Sequence, residues 1–433
     1  MAHGALGKAQ LICSSSHIAL PNQSIKGKQQ VEIEFSVMNI VHGWYASHDL
    51  GACIFSLYHQ FYKLIATDDG CDKNNDEVIF MLLRNAWYVA AWSSEIPQSA
   101  FLARTLLNIP VTLWRDTAGK VIAFEDRCCH RGAPLSKGRL EGDSVRCMYH
   151  GLRFDRSGAC VEIPGQDRIP PQAKVRTFPI VEKHKWVWIW MGDASLADES
   201  QIPDTHWLDD PEWRSLQGYT HYATNYLLIA DNLLDLAHLP YVHPTTLGGD
   251  EAYAACIPEV KKLPNGVRVT RWGEGIKPAP FVQKVKNYPG SVDRWNIYDF
   301  VLPGIFLMDS GMQPTGHGAK EGKRVDAAEF RSTQALTPET DTSTHYFFAQ
   351  PHNFSLDQPE VTVAIHEQVI TAFKEDSEMI HAQDHSLNLM PDFKMIPIGA
   401  DAALSYFRWL VAKAYKAEQA EKNPVQIQEA SHG

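Results

Sequence analysis

The sequence has little cysteine and no cluster of basic residues. Its 433 residues contain eight cysteines, too few for a disulfide scaffold in a chain of this size. The formal net charge at pH 7 is −11, and no basic run occurs. This balance argues against a nucleic-acid-binding surface or an anionic membrane as partner. We expect a reducing compartment and a small molecule or another protein as partner.

Long apolar runs and targeting signals are also lacking. Residues 1–20 contain one short apolar run, Leu11–Cys13, well short of the apolar core of a secretory signal peptide. The most apolar stretch, roughly 38–65, is broken by three histidines and an aspartate, so no membrane-spanning helix is predicted. We therefore expect a soluble, cytoplasmic protein with no membrane partner.

The composition is that of a globular protein preceded by a different N-terminal region. Hydrophobic residues make up 44% of the chain and charged residues 21%, which excludes a fibrous or wholly disordered protein. The length favours two domains. Residues 1–80 have no sustained hydrophobic period. Either they are a loosely folded addition, or they stem from an upstream start codon and Met81 is the true start.

Residues 81–195 are predicted to be mostly antiparallel β structure. Val111–Trp114 and Val121–Phe124 are rich in β-branched and aromatic residues and flank turn residues, which predicts a hairpin. Trp186–Trp190 is apolar at every position, so we expect a strand covered on both faces. The polar stretch 193–203 is the expected boundary of this domain.

Residues 204–422 are predicted to form an α+β domain, in which strands and helices are segregated. The polar tail, 423–433, is expected to be flexible. The helical patterns lie at roughly 225–239, 367–383 and 400–422, and the β-like runs include Tyr298–Met308 and Thr344–Ala349.

Two short segments of the first domain each pair a cysteine with a histidine: Cys128 with His130, and Cys147 with His150. Thiolates suit iron–sulfur clusters or zinc, and imidazole suits zinc and iron. Zinc sites tend to pair residues of one type. The mixed pairing is typical of a Rieske [2Fe–2S] centre, in which two cysteines hold one iron and two histidines hold the other. A structural zinc site, or buried cysteines with unrelated histidines, remain alternatives.

The residues around these four favour the Rieske interpretation. Cys128–Ser136 (CCHRGAPLS) and Cys147–Asp155 (CMYHGLRFD), followed by Gly158 and Pro164, closely resemble the Rieske domain of aromatic-ring oxygenases. Respiratory Rieske proteins, by family resemblance, carry an extra cysteine in each loop. Tyr149 stands where the second of these would be, which disfavours that class.

A second group of polar residues lies in a leucine-rich segment. Asp231, Asp235 and His238 are spaced so that one continuous helix would place them on one face. Pro240 is predicted to end this helix, and His243 follows closely enough for both imidazoles to reach one ion. The alternative is a helix with a solvated face of aspartate and histidine.

Two histidines need a carboxylate to complete the facial triad that binds non-haem Fe(II). Asn232–His243 resembles the mononuclear-iron motif of Rieske oxygenases, whose last ligand is an aspartate far downstream. Asp376 is the candidate here, because it interrupts an apolar helical stripe and a buried charge needs a cation or donors. The stripe consists of Val369, Phe373, Ile380 and Gln383, and the weaker candidate carboxylates are Glu375, Glu378 and Asp384.

From Met81 to about Lys422 the chain resembles the oxygenase subunits of the vanillate O-demethylase and dicamba O-demethylase type. The resemblance includes Asn85–Ala91 (NAWYVAA) and Phe373–Asp376 (FKED). It implies an α+β fold, with an N-terminal antiparallel β Rieske domain and a helix-grip-like catalytic domain. It also implies a [2Fe–2S] cluster on the two cysteine–histidine pairs and a mononuclear Fe(II) on the triad of the second domain.

The resemblance further implies a homotrimer, in which the cluster of one subunit supplies electrons to the iron of its neighbour. Asp235 would bridge the two centres by accepting hydrogen bonds from His150 across the interface and from His238 within its own subunit. Asp235 and Asn232 are the predicted catalytic residues beside the metal ligands. Electrons would come from NADH through a separate flavin and iron–sulfur reductase or a ferredoxin, because the chain has no Gly-rich dinucleotide fingerprint.

The predicted function is hydroxylation or O-demethylation of an aromatic, acid-type substrate with O2. Three alternatives remain: a ring-hydroxylating dioxygenase, a Rieske electron-transfer protein without oxygenase activity, and a zinc-stabilised interaction protein. The substrate itself cannot be derived from sequence, since the residues that line the pocket depend on the fold.

Overall fold

The computed structural model describes residues 81–249 and 251–422. The predictions for residues 1–80 and for the tail 423–433 lie outside these ranges. None of the helices in the described part of the chain is both long enough and apolar enough to cross a membrane.

The first part of the described chain consists of short antiparallel strands in three small sheets. The strands are β1 Trp87–Trp92, β2 Leu102–Leu106, β3 Ile109–Arg115, β4 Val121–Glu125, β5 Arg139–Leu140, β6 Ser144–Arg146, β7 Arg153–Asp155, β8 Cys160–Glu162, β9 Ile180–Lys183 and β10 Trp186–Trp190. The strand orders are β1-β10-β9, β2-β3-β4 and β5-β6-β7-β8. The predicted hairpin is confirmed as β3 and β4.

The later part contains one antiparallel sheet of seven strands. Its strands are β11 Gly218–Tyr222, β12 Glu259–Leu263, β13 Gly266–Ile276, β14 Val292–Val301, β15 Ile305–Pro314, β16 Ala328–Thr340 and β17 Ser343–Ala349. Their order in the sheet is β11-β17-β16-β15-β14-β13-β12.

Helices accompany this sheet, and the two longest come last in the described chain. The α-helices are α1 Tyr226–Leu234, α2 Leu239–Val242, α3 Glu251–Ala254, α4 Pro280–Val285, α5 Pro359–Leu389 and α6 Ala402–Lys422. Single 3-10 turns occur at Ser93–Glu95, Leu135–Lys137, Ala194–Leu196, Glu199–Gln201, His206–Leu208, Leu236–His238 and Gly399–Asp401.

The seven-stranded sheet has two faces with different neighbours. The register pairs Arg294 with Met312 and Tyr298 with Met308, so these side chains lie on one face. The Tyr298 hydroxyl donates to the Leu234 carbonyl at 3.0 Å, so the end of α1 lies against this face. The long helix α5 packs here too, with its Phe373 ring 5.1 Å from the Tyr346 ring of β17. This arrangement of helices over one face agrees with the predicted α+β fold.

The other face of the sheet packs on the tryptophan-rich strands β1 and β10. Trp186, Trp188 and Trp190 form one cluster with residues of the large sheet such as Ala335 and Phe347. The intervening side chains of β10 belong to a different apolar cluster, and all five of its residues are buried. The strand is therefore covered on both faces, as predicted.

Two predicted elements differ from the structure. The run Tyr298–Met308 is not one strand, because β14 ends at Val301 and β15 begins at Ile305. Pro303 lies between them and has no N–H to donate to a strand ladder. On α5, Val369, Phe373, Asp376 and Ile380 are buried as predicted, but Gln383 is exposed.

The predicted helix over residues 225–239 is interrupted. Its first part, α1, ends at Leu234, and Asp235 adopts an extended conformation with φ −125° and ψ 95°. The Asp235 side chain accepts a hydrogen bond from Ala237 N at 2.9 Å and so begins a new turn. Aspartate favours such positions because its carboxylate competes for backbone donors. The prediction that Asp231, Asp235 and His238 share one helical face is therefore wrong.

The role predicted for Pro240 is also wrong. Instead of ending a helix, Pro240 stands in the first turn of α2, where a missing N–H costs nothing. Asp231 pairs with Arg408 of α6, whose Nε donates to it at 2.9 Å, and is not among the three residues whose donor atoms could share a metal ion.

Candidate active site

The two cysteine–histidine segments form loops with the same backbone pattern. In the first loop, Cys128 N–H donates to the Ala133 carbonyl at 2.8 Å and Gly132 N–H donates to the Cys128 carbonyl at 2.9 Å. The second loop repeats both bonds around Cys147 and Gly151 at 2.8 and 2.9 Å. Gly132 and Gly151 have φ of +71° and +79°, a region that residues with a Cβ rarely adopt.

These loops bury their thiols and expose their imidazoles. Cys128 and Cys147 are each 2% exposed, whereas His130 and His150 are exposed, with ring centroids 4.6 Å apart. Burial raises the pKa of the Cys128 thiol to about 12. Partial desolvation, together with the nearby charges of His130 and Arg131, lowers the pKa of His150. A bound metal is what would keep such buried sulfurs as thiolates. The donor set fits a cluster with a thiolate side and an imidazole side.

The second site brings together two histidines and one carboxylate from distant parts of the chain. Donor atoms of His238, His243 and Asp376 all lie within 4.8 Å of one another. His243 Nε2 is 3.0 Å and His238 Nε2 is 3.5 Å from Asp376 Oδ1. His243 Nε2 is buried and has no hydrogen-bond partner among the described residues. An ion between these three side chains would provide one, so the residues fit a mononuclear metal.

Local structure turns both imidazoles towards this point. His238 closes the 3-10 turn Leu236–His238, and His243 follows the single turn of α2. His238 Nδ1 lies 2.6 Å from the backbone carbonyl of Asp235, and His243 Nδ1 lies 2.7 Å from Glu375 Oε2. Because each Nδ1 is engaged, each Nε2 is the nitrogen available to a metal.

Charge and burial act differently on the two histidines. Burial lowers the pKa of His238, which favours the neutral, metal-binding form. Burial acts in the same direction on His243, but the neighbouring carboxylates of Asp376 and Glu375 outweigh it and raise the pKa of His243. A cation in the site would compete with that proton.

The other candidate carboxylates do not meet the triad. Glu375 lies behind His243, where its Oε2 accepts hydrogen bonds from His243 and from the Thr246 hydroxyl at 2.8 Å. Glu378 is exposed on α5, and Asp384 accepts from Asn388 at 3.3 Å. Glu375 therefore orients a histidine from the outside of the site, a role that the sequence analysis did not predict.

Asn232 and Asp235 lie beside the triad in different ways. Asn232 Nδ2 donates to Asp376 Oδ1 at 3.0 Å and helps to orient that carboxylate. The Asp235 carboxylate faces Arg271, whose Nη2 is 3.5 Å away. The resemblance implied a bond from His238 to the Asp235 carboxylate, but His238 contacts the backbone carbonyl of Asp235 instead.

The triad opens into a cavity between the large sheet and helices α1, α4 and α5. Most of its lining is apolar, which suits a ring-shaped ligand beside a metal. The polar residues that line it, besides the triad, are Asn232, Arg294, Asn296, Ser310, Ser332, Gln334 and Gln350.

Two known protein families match the chain: the Rieske [2Fe-2S] domain over residues 86–179 and the vanillate O-demethylase oxygenase C-terminal domain over residues 222–417. The iron-sulfur subunit of the toluene-4-sulfonate monooxygenase system of Comamonas testosteroni is 50% identical over 348 residues, which are 79% of this chain and 100% of that protein. The chain belongs to the Rieske non-haem iron oxygenases.

Other Rieske oxygenases are similar over the same part of the chain. The vanillate O-demethylase oxygenase subunit of Pseudomonas sp. (strain ATCC 19151) is 35% identical over 323 residues, 73% of this chain and 97% of that protein. The crystal structure of dicamba monooxygenase bound to dicamba matches with a TM-score of 0.72 at 34% identity, over 78% of this chain and 99% of that chain.

As a member of this family, the chain is the oxygenase component of a multicomponent system that uses O2, and it carries a [2Fe–2S] cluster and a mononuclear non-haem iron. Relatives of this kind are components of multicomponent systems, which implies a separate reductase as partner. The predicted family, the α+β fold class, the enzyme class and the cofactors are confirmed.

Sequence reasoning named Glu375 of this Rieske oxygenase only as a weaker candidate ligand, and it missed two charged residues, Arg271 and Arg294. Both arginines lie on strands of the large sheet and are at most 5% exposed. An arginine at an inward position of a strand is a usable signal, because buried charges need partners. Applying that signal requires the strand register, which the sequence does not provide.

Proposed function

We propose that Cys128 and Cys147 hold one iron of the cluster, with His130 and His150 on the other. We further propose that His238, His243 and Asp376 hold the mononuclear iron. The buried thiols beside exposed imidazoles support the first assignment. The three donor atoms within 4.8 Å of one another support the second. The cluster supplies single electrons and the iron activates O2 when both are bound.

The reaction that we propose is monooxygenation of a substituent on an aromatic acid, either as hydroxylation or as removal of a methyl group. The observation that carries it is the apolar cavity that opens on the triad. The names of relatives support the same reaction. These relatives are components of a toluene-4-sulfonate monooxygenase system, of vanillate O-demethylase and of dicamba O-demethylase. A Rieske electron-transfer protein without oxygenase activity does not need a cavity beside three metal-binding donors. The cavity therefore disfavours this alternative function.

Neighbouring side chains of this chain would orient the ligands. Asn232 would hold the Asp376 carboxylate in place, and Glu375 would hold the His243 ring. Hydrogen bonds of this kind set ring orientation and ligand basicity at metal sites. Asp235 is proposed to connect the iron site to the cluster of another subunit.

The proposed assembly is a homotrimer in which residues 81–195 of one subunit supply electrons to residues 204–422 of the next. His130 and His150 are exposed, together with Met148 and Tyr149 at the same loop tip. This exposure supports a contact of the loop tip with another subunit. We place the protein in the cytoplasm, where NADH and a reductase are available.

Oxygen consumption with a surrogate reductase tests the proposed function. Holoenzyme, NADH and a panel of aromatic acids and methoxyarenes should give substrate-dependent O2 uptake and a product one oxygen heavier, or formaldehyde for a demethylation. His238→Ala should abolish both signals and keep the visible spectrum of the cluster. Unchanged turnover in His238→Ala would contradict the assignment of the iron site.

A further inference from the structure

The cavity beside the triad contains a buried arginine that the proposed chemistry does not use. Arg294 lies on β14, is 5% exposed, and lines the same cavity as His238 and His243. The register pairs it with Met312 of β15, another residue of the cavity wall. Its side chain therefore extends from the sheet towards the space where a substrate would lie.

Within the described residues 81–249 and 251–422, the Arg294 side chain makes two hydrogen bonds. Nη1 donates to the Gly248 carbonyl at 2.7 Å, and Nη2 donates to the Leu247 carbonyl at 3.1 Å. A guanidinium has five N–H donors, so further donors remain for a ligand. The group also lies over the Tyr253 ring, 4.3 Å from its centroid, which gives a weak cation–π attraction.

No carboxylate of the described residues, 81–249 and 251–422, forms an ion pair with Arg294. The adjacent Asp293 carboxylate accepts instead from Gly275 N at 3.1 Å and Gly316 N at 3.0 Å. The neighbouring buried arginine differs in this respect, because Arg271 Nη2 is 3.5 Å from Asp235. Burial lowers the pKa of Arg294, but arginine keeps its proton in proteins.

A buried cation without a carboxylate is costly, and a bound anion would remove much of that cost. Planar guanidinium groups bind carboxylate and similar oxyanions through paired hydrogen bonds. The remaining lining of the cavity is mostly apolar and suits an aromatic ring. One ligand satisfies both features: a ring that carries a negatively charged oxyanion.

We propose that Arg294 is the anion-binding residue of the substrate cavity and restricts the enzyme to aromatic sulfonates or carboxylates. The anionic group pairs with the guanidinium while the rest of the ring faces the triad. This inference rests on the proposed function and deepens it, because it names the residue that selects the substrate class.

The test compares wild type with Arg294→Met and Arg294→Lys on three probes of similar shape. The probes are toluene-4-sulfonate, 4-methylbenzoate and the uncharged 4-methylbenzenesulfonamide. Binding to the oxidised holoenzyme is measured by calorimetry, and KM and kcat are measured with a surrogate reductase. Arg268→Met is the matched control, since Arg268 lies on the same sheet but is half exposed and pairs with Asp299.

We expect Arg294→Met to raise Kd and KM for whichever anion wild type prefers by about 30-fold or more, because one member of a buried charge pair is removed. Kd for the sulfonamide should change by less than about 3-fold. Arg294→Lys should fall between wild type and Arg294→Met, since it keeps the charge and loses the planar fork. Arg268→Met should match wild type.

An equal loss for charged and uncharged probes in both variants would overturn the inference and make Arg294 only a support for the 247–248 backbone. Wild-type preference for the sulfonamide would overturn it as well. If Arg294→Met does not fold, judged by its melting curve and cluster spectrum, Arg294→Lys decides by its ratio of sulfonate to sulfonamide affinity. Arginine-dependent anion binding without any turnover would keep the inference and contradict the proposed function.

Discussion

The two proposed metal sites are built in opposite ways. The cluster site uses two short loops that are close in sequence, held by backbone hydrogen bonds and left exposed at the histidines. The iron site joins His238 and His243 to Asp376 of a distant helix, and side chains such as Glu375 orient it from behind. The first site therefore depends on local backbone geometry, and the second depends on how α1, α2 and α5 pack.

This difference predicts that the two sites can be damaged separately. Backbone changes in the loops should affect the cluster, and side-chain changes around α5 should affect the iron. The following variants test this separation, in order of decreasing expected effect.

Removing the triad carboxylate should have the largest effect. Asp376→Ala should lower turnover by about 1,000-fold or more, because the facial triad loses a ligand. Iron content should fall by one ion per chain, the mononuclear iron, while acid-labile sulfide and the visible spectrum of the cluster stay constant. Metal and sulfide analysis on the same sample checks this. Loss of the cluster together with the iron would contradict separate sites.

Removing the charge behind His243 should weaken the iron site without abolishing it. Glu375→Gln should reduce Fe(II) affinity and turnover by about 10- to 100-fold. Loss of the hydrogen-bond partner of a metal-binding histidine typically has an effect of this size on metal affinity or activity. Glu378→Gln is the matched control on the exposed side of α5. Fe(II) titration of apoprotein measures the affinity, and equal behaviour of both variants would refute the positioning role.

A backbone change should affect the cluster loop alone. Gly151 has φ +79°, and an added Cβ would lie 2.7 Å from Cγ of Pro164. Gly151→Ala should destabilise the loop by about 1–3 kcal/mol and lower cluster content, leaving Fe(II) affinity unchanged. Gly290→Ala is the control, because a Cβ there would meet open space. Full cluster content in Gly151→Ala would show that the loop backbone does not need this conformation.

The smallest effect is expected at the ion pair between α1 and α6. Arg408→Met leaves Asp231 without its guanidinium and should lower the free energy of unfolding by about 1–2 kcal/mol, since the pair is only partly buried. Cluster and iron contents should remain normal. Urea denaturation followed by fluorescence measures the change, and a loss of iron would link Asp231 to the metal site after all.

The difference between the two metal sites also explains which features could be predicted from the sequence. The cysteine–histidine loops, the hairpin β3–β4 and strand β10 depend on local spacing and local hydrophobicity, so the sequence was sufficient. The break in the helix at Asp235 was not predicted, because an aspartate can either continue a helix or begin a new turn through its side-chain carboxylate. Only the packed structure decides between these two conformations.

The supporting residues were missed for a different reason. Glu375 was considered only as a weaker candidate ligand. It lies behind His243 and not in the triad, because adjacent residues on a helix point in different directions. Arg294 faces the cavity only because of the register of β14 against β15. Register depends on long-range pairing, and a shift by one residue would turn the side chain to the other face.

Electron paramagnetic resonance of the reduced holoenzyme, before and after addition of nitric oxide, tests most directly whether the chain holds two separate iron centres. We expect the rhombic signal of a reduced Rieske cluster and, with nitric oxide, a separate high-spin iron signal. In His243→Ala the second signal should disappear while the first remains unchanged. A wild-type sample that lacks either signal, or a variant that loses both together, would contradict two separate iron centres in this chain.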